Sequence, residues 1–280
     1  MRHSPQIIQD IIQMRKDGFT LGEIMAETSL SKTTIHHHIK SIPKSNFLLK
    51  KILAKTLVAQ KRQAELRRGK SIKTYKFKRP QKWTIELVSL VAHFLFDGQI
   101  RRTSCIYYNR SEALRKNIVD CMQEKLGVAD YKIYETSGGV KRVCYFNVEL
   151  AAFVRQKADE LLNHIGSAAK NHKLSFLKSF FDDEGCITFS SKKRLIRGYQ
   201  HSLVTLRLIQ NLLADFQIES RIDGKYGEIY ISRKPNLIKF QKYINFTPGV
   251  CVNGNRSNSI WKNSLEKREI LNRALASYRF

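Results

Sequence analysis

One signal occurs twice in this chain. An apolar helical run ending in an acid and a glycine is found at ELVSLVAHFLFDGQI and again at LSFLKSFFDDEGCI, placing Asp97-Gly98 and Glu184-Gly185 87 residues apart. A β-rich stretch follows each pair, over 99–109 and 186–200. Each stretch leads into a helix headed by a serine cap, Ser111 in one case and Ser202 in the other. The first of these helices repeats Leu114, Ile118, Met122 and Leu126 on one face; the second repeats Leu206, Ile209, Leu213 and Phe216. Next come strand pairs about Gly138-Gly139 and about Gly224, then helices carrying Leu150, Phe153 and Val154, or Leu237, Phe240 and Ile244. Both halves therefore read αββαββα. The class expected is α+β, with repeats over 81–170 and 171–280 and a further C-terminal helix in the second.

A smaller helical module precedes the repeats. Ile7, Ile8, Ile11, Ile12 and Met14 keep a helical period from Pro5 until Gly18 stops it. Thr20 and Glu23 form a capping box for a second helix. Ser31 then caps a third helix running from Lys32 to Ile42. Its Ile35, Ile39 and Ile42 face inward, leaving Lys32, Thr33, Thr34, His36, His37 and Lys40 outward. The stretch GFTLGEIMAETSLSKTTIHHHI resembles the helix-turn-helix of resolvase-like and regulator families, which implies that 1–42 is a three-helix DNA-binding domain with the third helix in the major groove. His36-His37-His38 is not read as a metal site, since consecutive helical residues point about 100° apart.

Charge says what kind of partner to expect. Fifty Lys and Arg against 24 Asp and Glu give +26, well beyond what solubility requires, so the expected partner is a polyanion. The run 44–79 alone holds thirteen Lys or Arg and a single acid, Glu65. Leu49, Ile52, Leu53 and Leu57 give it a helical pattern that fades into Arg67-Arg68. It reads as a basic helical connector, 43–80, on the DNA backbone. No apolar run is long enough to span a bilayer, and neither a secretion signal nor membrane binding is expected. Five scattered cysteines without a Cys-x-x-Cys pair read as small buried hydrophobes of a reducing, intracellular setting, expected to be cytoplasmic, with an organelle as the alternative.

The paired motifs, 90–98 (LVAHFLFDG) and 177–185 (LKSFFDDEG), resemble the nine-residue signature of the LAGLIDADG family of homing endonucleases, over residues 82–280. The resemblance implies that the two motif helices pack side by side at a pseudo-twofold axis between saddle-like antiparallel sheets. It also implies that Asp97 and Glu184 bind Mg²⁺ or Mn²⁺ for hydrolysis of double-stranded DNA by a single, monomeric chain. Hard oxygen ligands suit that chemistry, because the ion must activate water and stabilise a leaving oxygen. Lys173 and Lys262 are the basic residues nominated to assist. Gly98 and Gly185 are expected to end their helices with positive φ.

Two features depart from the family pattern. The seventh motif position, usually small, is Phe96 in one copy and Asp183 in the other. The hairpins are also short, with 12 residues between Gly98 and Ser111 and 16 between Gly185 and Ser202. Arg101, Arg102 and Arg110 on the first, with Lys192, Lys193, Arg194 and Arg197 on the second, are expected to reach phosphates or a guanine edge. The alternative is a non-cleaving, sequence-specific transcriptional regulator on the same fold. A basic fold alone does not separate DNA from RNA as the ligand.

Overall fold

Hydroxyl side chains start most of the helices. Ser4, Thr20, Ser31, Thr84, Ser111 and Ser202 each accept a hydrogen bond from a backbone N–H three residues on. Each such cap contributes about 1 kcal/mol. The computed structural model describes residues 4–67, 77–190, 193–252 and 263–278. The chain divides into two compact units, Met1–Thr74 and Tyr75–Phe280.

In the first unit α1 (Pro5–Lys16), α2 (Leu21–Thr28) and α3 (Lys32–Ile39) pack around Ile11, Ile24, Ile35 and Ile39. Gly18, at φ +86°, ends the first helix as its position suggests. The Thr20–Glu23 capping box is complete. α3 stops three residues earlier than expected, although Ile42 still packs on the core. A fourth helix, α4 (Asn46–Arg67), carries the basic run. Its buried side is Leu48, with Ile52 half-buried, while Leu49, Leu53 and Leu57 are exposed. The face assigned from periodicity is thus offset by one residue. Lys51 and Lys55 both pair with Glu23, at 2.9 and 2.7 Å, and so tie α4 to the cap of α2.

The second unit repeats one order of elements. It runs α5 (Ile85–Phe96), β1 (Gly98–Ile100), β2 (Cys105–Asn109), α6 (Glu112–Leu126), β3 (Lys132–Glu135), β4 (Lys141–Tyr145) and α7 (Val148–His164). Then come α8 (Lys170–Glu184), β5 (Gly185–Phe189), β6 (Arg194–Tyr199), α9 (Leu203–Ala214), β7 (Arg221–Asp223), β8 (Glu228–Ser232) and α10 (Lys234–Tyr243), with α11 (Lys267–Ala276) added at the end. Each half forms a four-stranded antiparallel sheet, ordered β1-β2-β4-β3 and β5-β6-β8-β7. The αββαββα expectation holds in both.

α5 and α8 meet along a seam of small polar residues. The Ser89 and Ser179 hydroxyls lie 3.2 Å apart, and the Ser175 hydroxyl donates to Ile85 O at 2.9 Å. Around the seam a continuous core runs from Leu87 to Leu271 and includes Phe94, Phe176, Phe180, Phe181 and Phe240. The large Phe96 does not hold the helices apart, because its ring packs edge-on against Phe176 and Phe180 at 5.3 and 5.1 Å. Cys105 and Cys144 are buried, Cys121 and Cys186 half-buried and Cys251 exposed, all as free thiols. No described helix is long and apolar enough to cross a membrane.

The two motif glycines are required for a reason other than the one expected. Gly185 has φ −85° and ψ 145°, and Gly98 is not among the positive-φ residues. Instead, a Cβ at Gly98 would lie 2.3 Å from Phe94 O, and one at Gly185 would lie 2.2 Å from Phe181 O. The constraint is steric: the chain leaves each helix so tightly that only a hydrogen fits against the previous turn. Gly185→Ala should therefore destabilise the second unit by about 1–3 kcal/mol, lowering the unfolding temperature by several degrees in calorimetry. An unchanged melting temperature would contradict this account.

Candidate active site

The adjacent ends of α5 and α8 bring three acids together. Asp97 is the C-cap of α5, and Asp183 and Glu184 close α8. Helix C-termini carry partial negative charge, so acids there need compensation. It is supplied unevenly. Asp183, whose side chain is fully buried, accepts from Tyr107 Oη at 2.6 Å and Asn109 Nδ2 at 3.2 Å, and His93 Nδ1 lies 2.7 Å from its other oxygen. Asp97 accepts one side-chain bond, from Asn109 Nδ2 at 2.8 Å. Glu184 has no side-chain hydrogen bond among the described residues.

The two less bonded acids, Asp97 and Glu184, are both raised. Burial, with the charge of Asp183 next, raises Asp97 to about 7 against the smaller pulls of Lys267, His93 and Asn109. Burial, then the charges of Asp97 and Asp183, raises Glu184 to about 8. Burial opposes a charge on His93, but Asp183 beside it raises its pKa on balance. Tyr107 is pushed well above its ordinary value by burial and by Asp183. Asp182 faces away from this group. It is raised by burial and held by Thr247 N and Oγ1 at 2.7 and 2.6 Å.

Among the described residues the lysine that serves the cluster is Lys267. Its Nζ is buried and donates to Asp182 O at 2.7 Å and Phe181 O at 3.3 Å, so it caps the carbonyl end of α8 directly. Burial lowers its pKa while Asp182, Asp183 and Asp97 oppose that shift. Lys173, nominated from sequence, lies in the first turn of α8, eleven residues or about 16 Å before Glu184, and pairs with Asp215 at 2.6 Å. The structure does not bring it to the acids. Lys262, Lys192 and Arg68 lie outside the described residues, as does the side chain of Arg67.

The hairpin cations divide into free and engaged. Arg102 and Lys193 are exposed; Arg101 and Arg110 are exposed too but donate, Arg101 Nε to Gln99 Oε1 at 2.9 Å and Arg110 Nη2 to Gly138 O at 2.8 Å. Arg194 is not outward as expected, since it bonds Ser277 Oγ at 2.5 Å and stacks over the Tyr278 ring at 4.9 Å. Arg197 is half-buried and lies 3.5 Å from Glu228. Lys32, Thr33, His36, His37 and Lys40 are exposed on α3, whereas Thr34 shares a 2.8 Å hydrogen bond with the capping Ser31.

The pseudo-symmetry is broken at the acids. With an offset of 87, His93 corresponds to Phe180 and Phe96 to Asp183. Gly98 pairs with Tyr107 across β1–β2, whereas Gly185 pairs with Gly198 across β5–β6. One half thus contributes His93 and Tyr107 to a polar contact with Asp183. The corresponding contact, Phe96 on Phe180, is aromatic, and a Cβ at Gly198 would lie 2.4 Å from the Phe180 ring.

Residues 171–245 match the family model described as LAGLIDADG-like domain. Asp183 and Glu184 close the first helix of this segment, and the preceding repeat supplies Asp97 from the same sequence of elements. Solved structures with similar folds include I-DmoI in complex with DNA and Mn, 16% identical over 57% of this chain and 97% of that one, with a TM-score of 0.45. The N-terminal LAGLIDADG domain of DUF199/WhiA is 17% identical over 60% and 87%, with a TM-score of 0.44. Full-length DUF199/WhiA from Thermatoga maritima is 14% identical over 72% and 63%, with a TM-score of 0.47. No curated protein matches the chain.

Sequence reasoning missed His93, Tyr107, Asn109, Asp183 and Lys267 as members of the cluster. Asp182-Asp183-Glu184 at the end of an apolar helix was a usable signal, since three adjacent carboxylates entering a core need named partners. Lys267 was also legible in part: it falls on the helical stripe of Ile270, Leu271 and Ala274.

The raised acids set the direction of a pH effect. A carboxyl with a folded pKa above its unfolded value keeps its proton more readily when folded, so folding loses stability as pH rises between the two values. For Asp97 and Glu184 the window runs from their ordinary 3.8 and 4.5 to about 7 and about 8. His93, also raised, adds in the same sense above its ordinary 6.5. Metal-free protein should therefore lose stability across this range, on the order of a few kcal/mol, and melt at a falling temperature as pH rises. Asp97→Asn with Glu184→Gln should flatten the slope and raise the melting point at its alkaline end. A slope unchanged by the double substitution would refute the assignment.

Proposed function

We propose that this chain is a divalent-metal-dependent endonuclease of the LAGLIDADG homing type, hydrolysing phosphodiester bonds in double-stranded DNA at a specific site. The observation that carries the reading is the graded satisfaction of the three acids. Asp183 is saturated by protein donors, while Asp97 and Glu184 are the acids left under-bonded, with elevated pKa values. Such a pair is poised for a cation to take the place of protons. Among the described residues no three His, Cys, Asp or Glu side chains could hold a metal ion by themselves. A two-carboxylate donor set fits an ion that takes its other ligands from phosphate and water.

Bound between Asp97 and Glu184, Mg²⁺ or Mn²⁺ would supply charge opposite the scissile phosphate and lower the pKa of a bound water. The chain's own residues arrange the rest. Asn109 orients the Asp97 carboxylate and leaves Oδ1 free. His93 and Tyr107 keep Asp183 turned into the protein. Lys267 binds the terminal carbonyls of α8, so the negative end of the helix adds less to the repulsion at Glu184. Both acids come from one chain, so a monomer suffices. In this reading residues 1–42 read sequence through Thr33 and His37, and the exposed Arg101, Arg102 and Lys193 contact phosphates.

One feature favours a second reading, a non-cleaving DNA-binding regulator. The strands beside the acids are only three to six residues long, which limits how many base pairs they can follow. Incubating the purified protein with a supercoiled DNA library and Mg²⁺ or Mn²⁺ separates the two. The nuclease cuts, and Asp97→Asn or Glu184→Gln reduces cutting by a factor of about a hundred or more while binding persists. Tight, salt-sensitive binding without cutting, unaffected by both substitutions, establishes the regulator; equal preference for RNA overturns both. Deleting residues 1–42 should reduce discrimination between target and random duplex in competition binding. Unchanged discrimination would remove that segment from recognition.

A further inference from the structure

The first unit contains a groove that shares Lys32, His36 and Lys40 with the outward face of α3 and its C-cap but extends beyond it to α4 and α1. It lies between α3 and α4, has a volume of about 1270 Å³, and reaches down to Arg15 on α1. Small-molecule pockets usually measure about 300–1,000 Å³, so this space is larger than a simple anion needs.

Its lining has two characters. Lys32, His36 and Lys40 repeat every four residues along α3 and edge the groove, joined by Lys44 beyond the helix. Leu21, Ile39, Ile42, Ile52 and Ala59 supply aliphatic surface. Thr56, Gln60 and Gln63 add polar groups from α4. Lys55 also lines the groove but is taken up by Glu23, which Lys51 shares.

Arg15 is the anomalous residue. It is 7% exposed, yet no carboxylate lies within ion-pair distance of it among the described residues. Its guanidinium makes one hydrogen bond, Nη1 to Phe19 O at 3.3 Å, and its buried Nε has no partner. Burial accordingly works against its charge and lowers its pKa. A buried cation without a counter-ion is costly, and the lysines around the same space add to the cost. A ligand that brings negative charge to Arg15 would relieve both.

We propose that this groove is a nucleotide-binding site, in which a phosphate group meets Arg15 and the α3 lysines while the base lies on the aliphatic wall. Charge alone would fit any anion. The aliphatic wall and the volume call for a larger body attached to the phosphate, and a nucleobase can lay its ring face on that wall while Thr56, Gln60 and Gln63 meet its polar edge. The nucleotide can be free or part of a single strand, since both present the same chemistry. The proposal is independent of whether Asp97 and Glu184 cut DNA.

The test uses the full chain labelled with ¹⁵N and titrated separately with inorganic phosphate, dAMP, a single-stranded oligonucleotide and a poly-glutamate peptide. With dAMP, saturable shifts should collect at the amides of Gly22, Lys40, Thr56 and Gln60 and at the Arg15 side chain. Arg15→Met and Lys40→Glu should each weaken dAMP binding at least tenfold. Arg15→Met should not lower the melting temperature, which distinguishes lost binding from lost folding. Lys40→Glu, on an exposed residue, gives the same reading if Arg15→Met fails to fold. A strand binding more tightly than dAMP, with the same sensitivity to both substitutions, identifies the strand as the ligand; the reverse order identifies the free nucleotide. Shifts scattered outside the groove, wild-type affinity in both variants, or equal affinity for phosphate or poly-glutamate overturns the proposal.

Discussion

Electrostatic repulsion among Asp97, Asp183 and Glu184 at the joined ends of α5 and α8 is the constraint around which the second unit is arranged. Three carboxylates at the negative ends of two helices could not remain there as the core of an ordinary domain. A lysine from the last helix, a histidine from the opposing helix, a tyrosine and an asparagine from β2, and Thr247 beyond α10 all converge on this end. Elements distant in sequence are thereby fixed to one point. The position of α11 follows from it as well, because Lys267 loses its carbonyl partners if the helix moves away from α8.

Compensation stops short of completion, and it does so in order. Asp183 is held on both oxygens, Asp97 on one, and Glu184 on neither. A fold selected for stability alone would have replaced the last two with neutral side chains, since removing a buried charge together with its partner is often neutral or favourable. Keeping two acids under-bonded at the end of a well-packed seam is a local cost that makes sense when a cation or a phosphate-bound ion is the missing partner. The tight exits at Gly98 and Gly185 support the same geometry. By turning the chain away within one residue of each acid, they keep the carboxylates at the ends of their helices.

Local chemistry made much of this fold legible. Thr20, Ser31, Ser111 and Ser202 cap the helices assigned to them, and the repeat predicts both sheets because each half meets the same packing problem. Information carried by tertiary contact was not legible. Lys173 stands just before the second motif in sequence, but it falls in the first turn of α8, and a helix separates residues along its axis by about 1.5 Å each, so eleven residues is too far. Arg194 looks outward on a strand pattern, but Ser277 and Tyr278, just beyond the last helix, close over it. The glycines were identified correctly and explained wrongly, since a composition rule for helix ends cannot show that Phe94 O and Phe181 O occupy the space of a Cβ.

The exception to the repeat is as informative as the repeat. An exact twofold would place like beside like at the seam: two histidines, two tyrosines and four acids, or two phenylalanine pairs and no third acid. Exchanging His93 for Phe180, and Phe96 for Asp183, divides the seam into one polar and one aromatic contact, and Gly198 provides the space that Phe180 needs. The polar contact lies on one side of the axis only. Asp97 therefore shares Asn109 with Asp183, while Glu184, beside Asp183 in the chain, shares no donor with it. The two acids that symmetry would make equivalent are unequal in hydrogen bonding. A single chain can carry such a difference between its halves, whereas a symmetric dimer of identical repeats cannot.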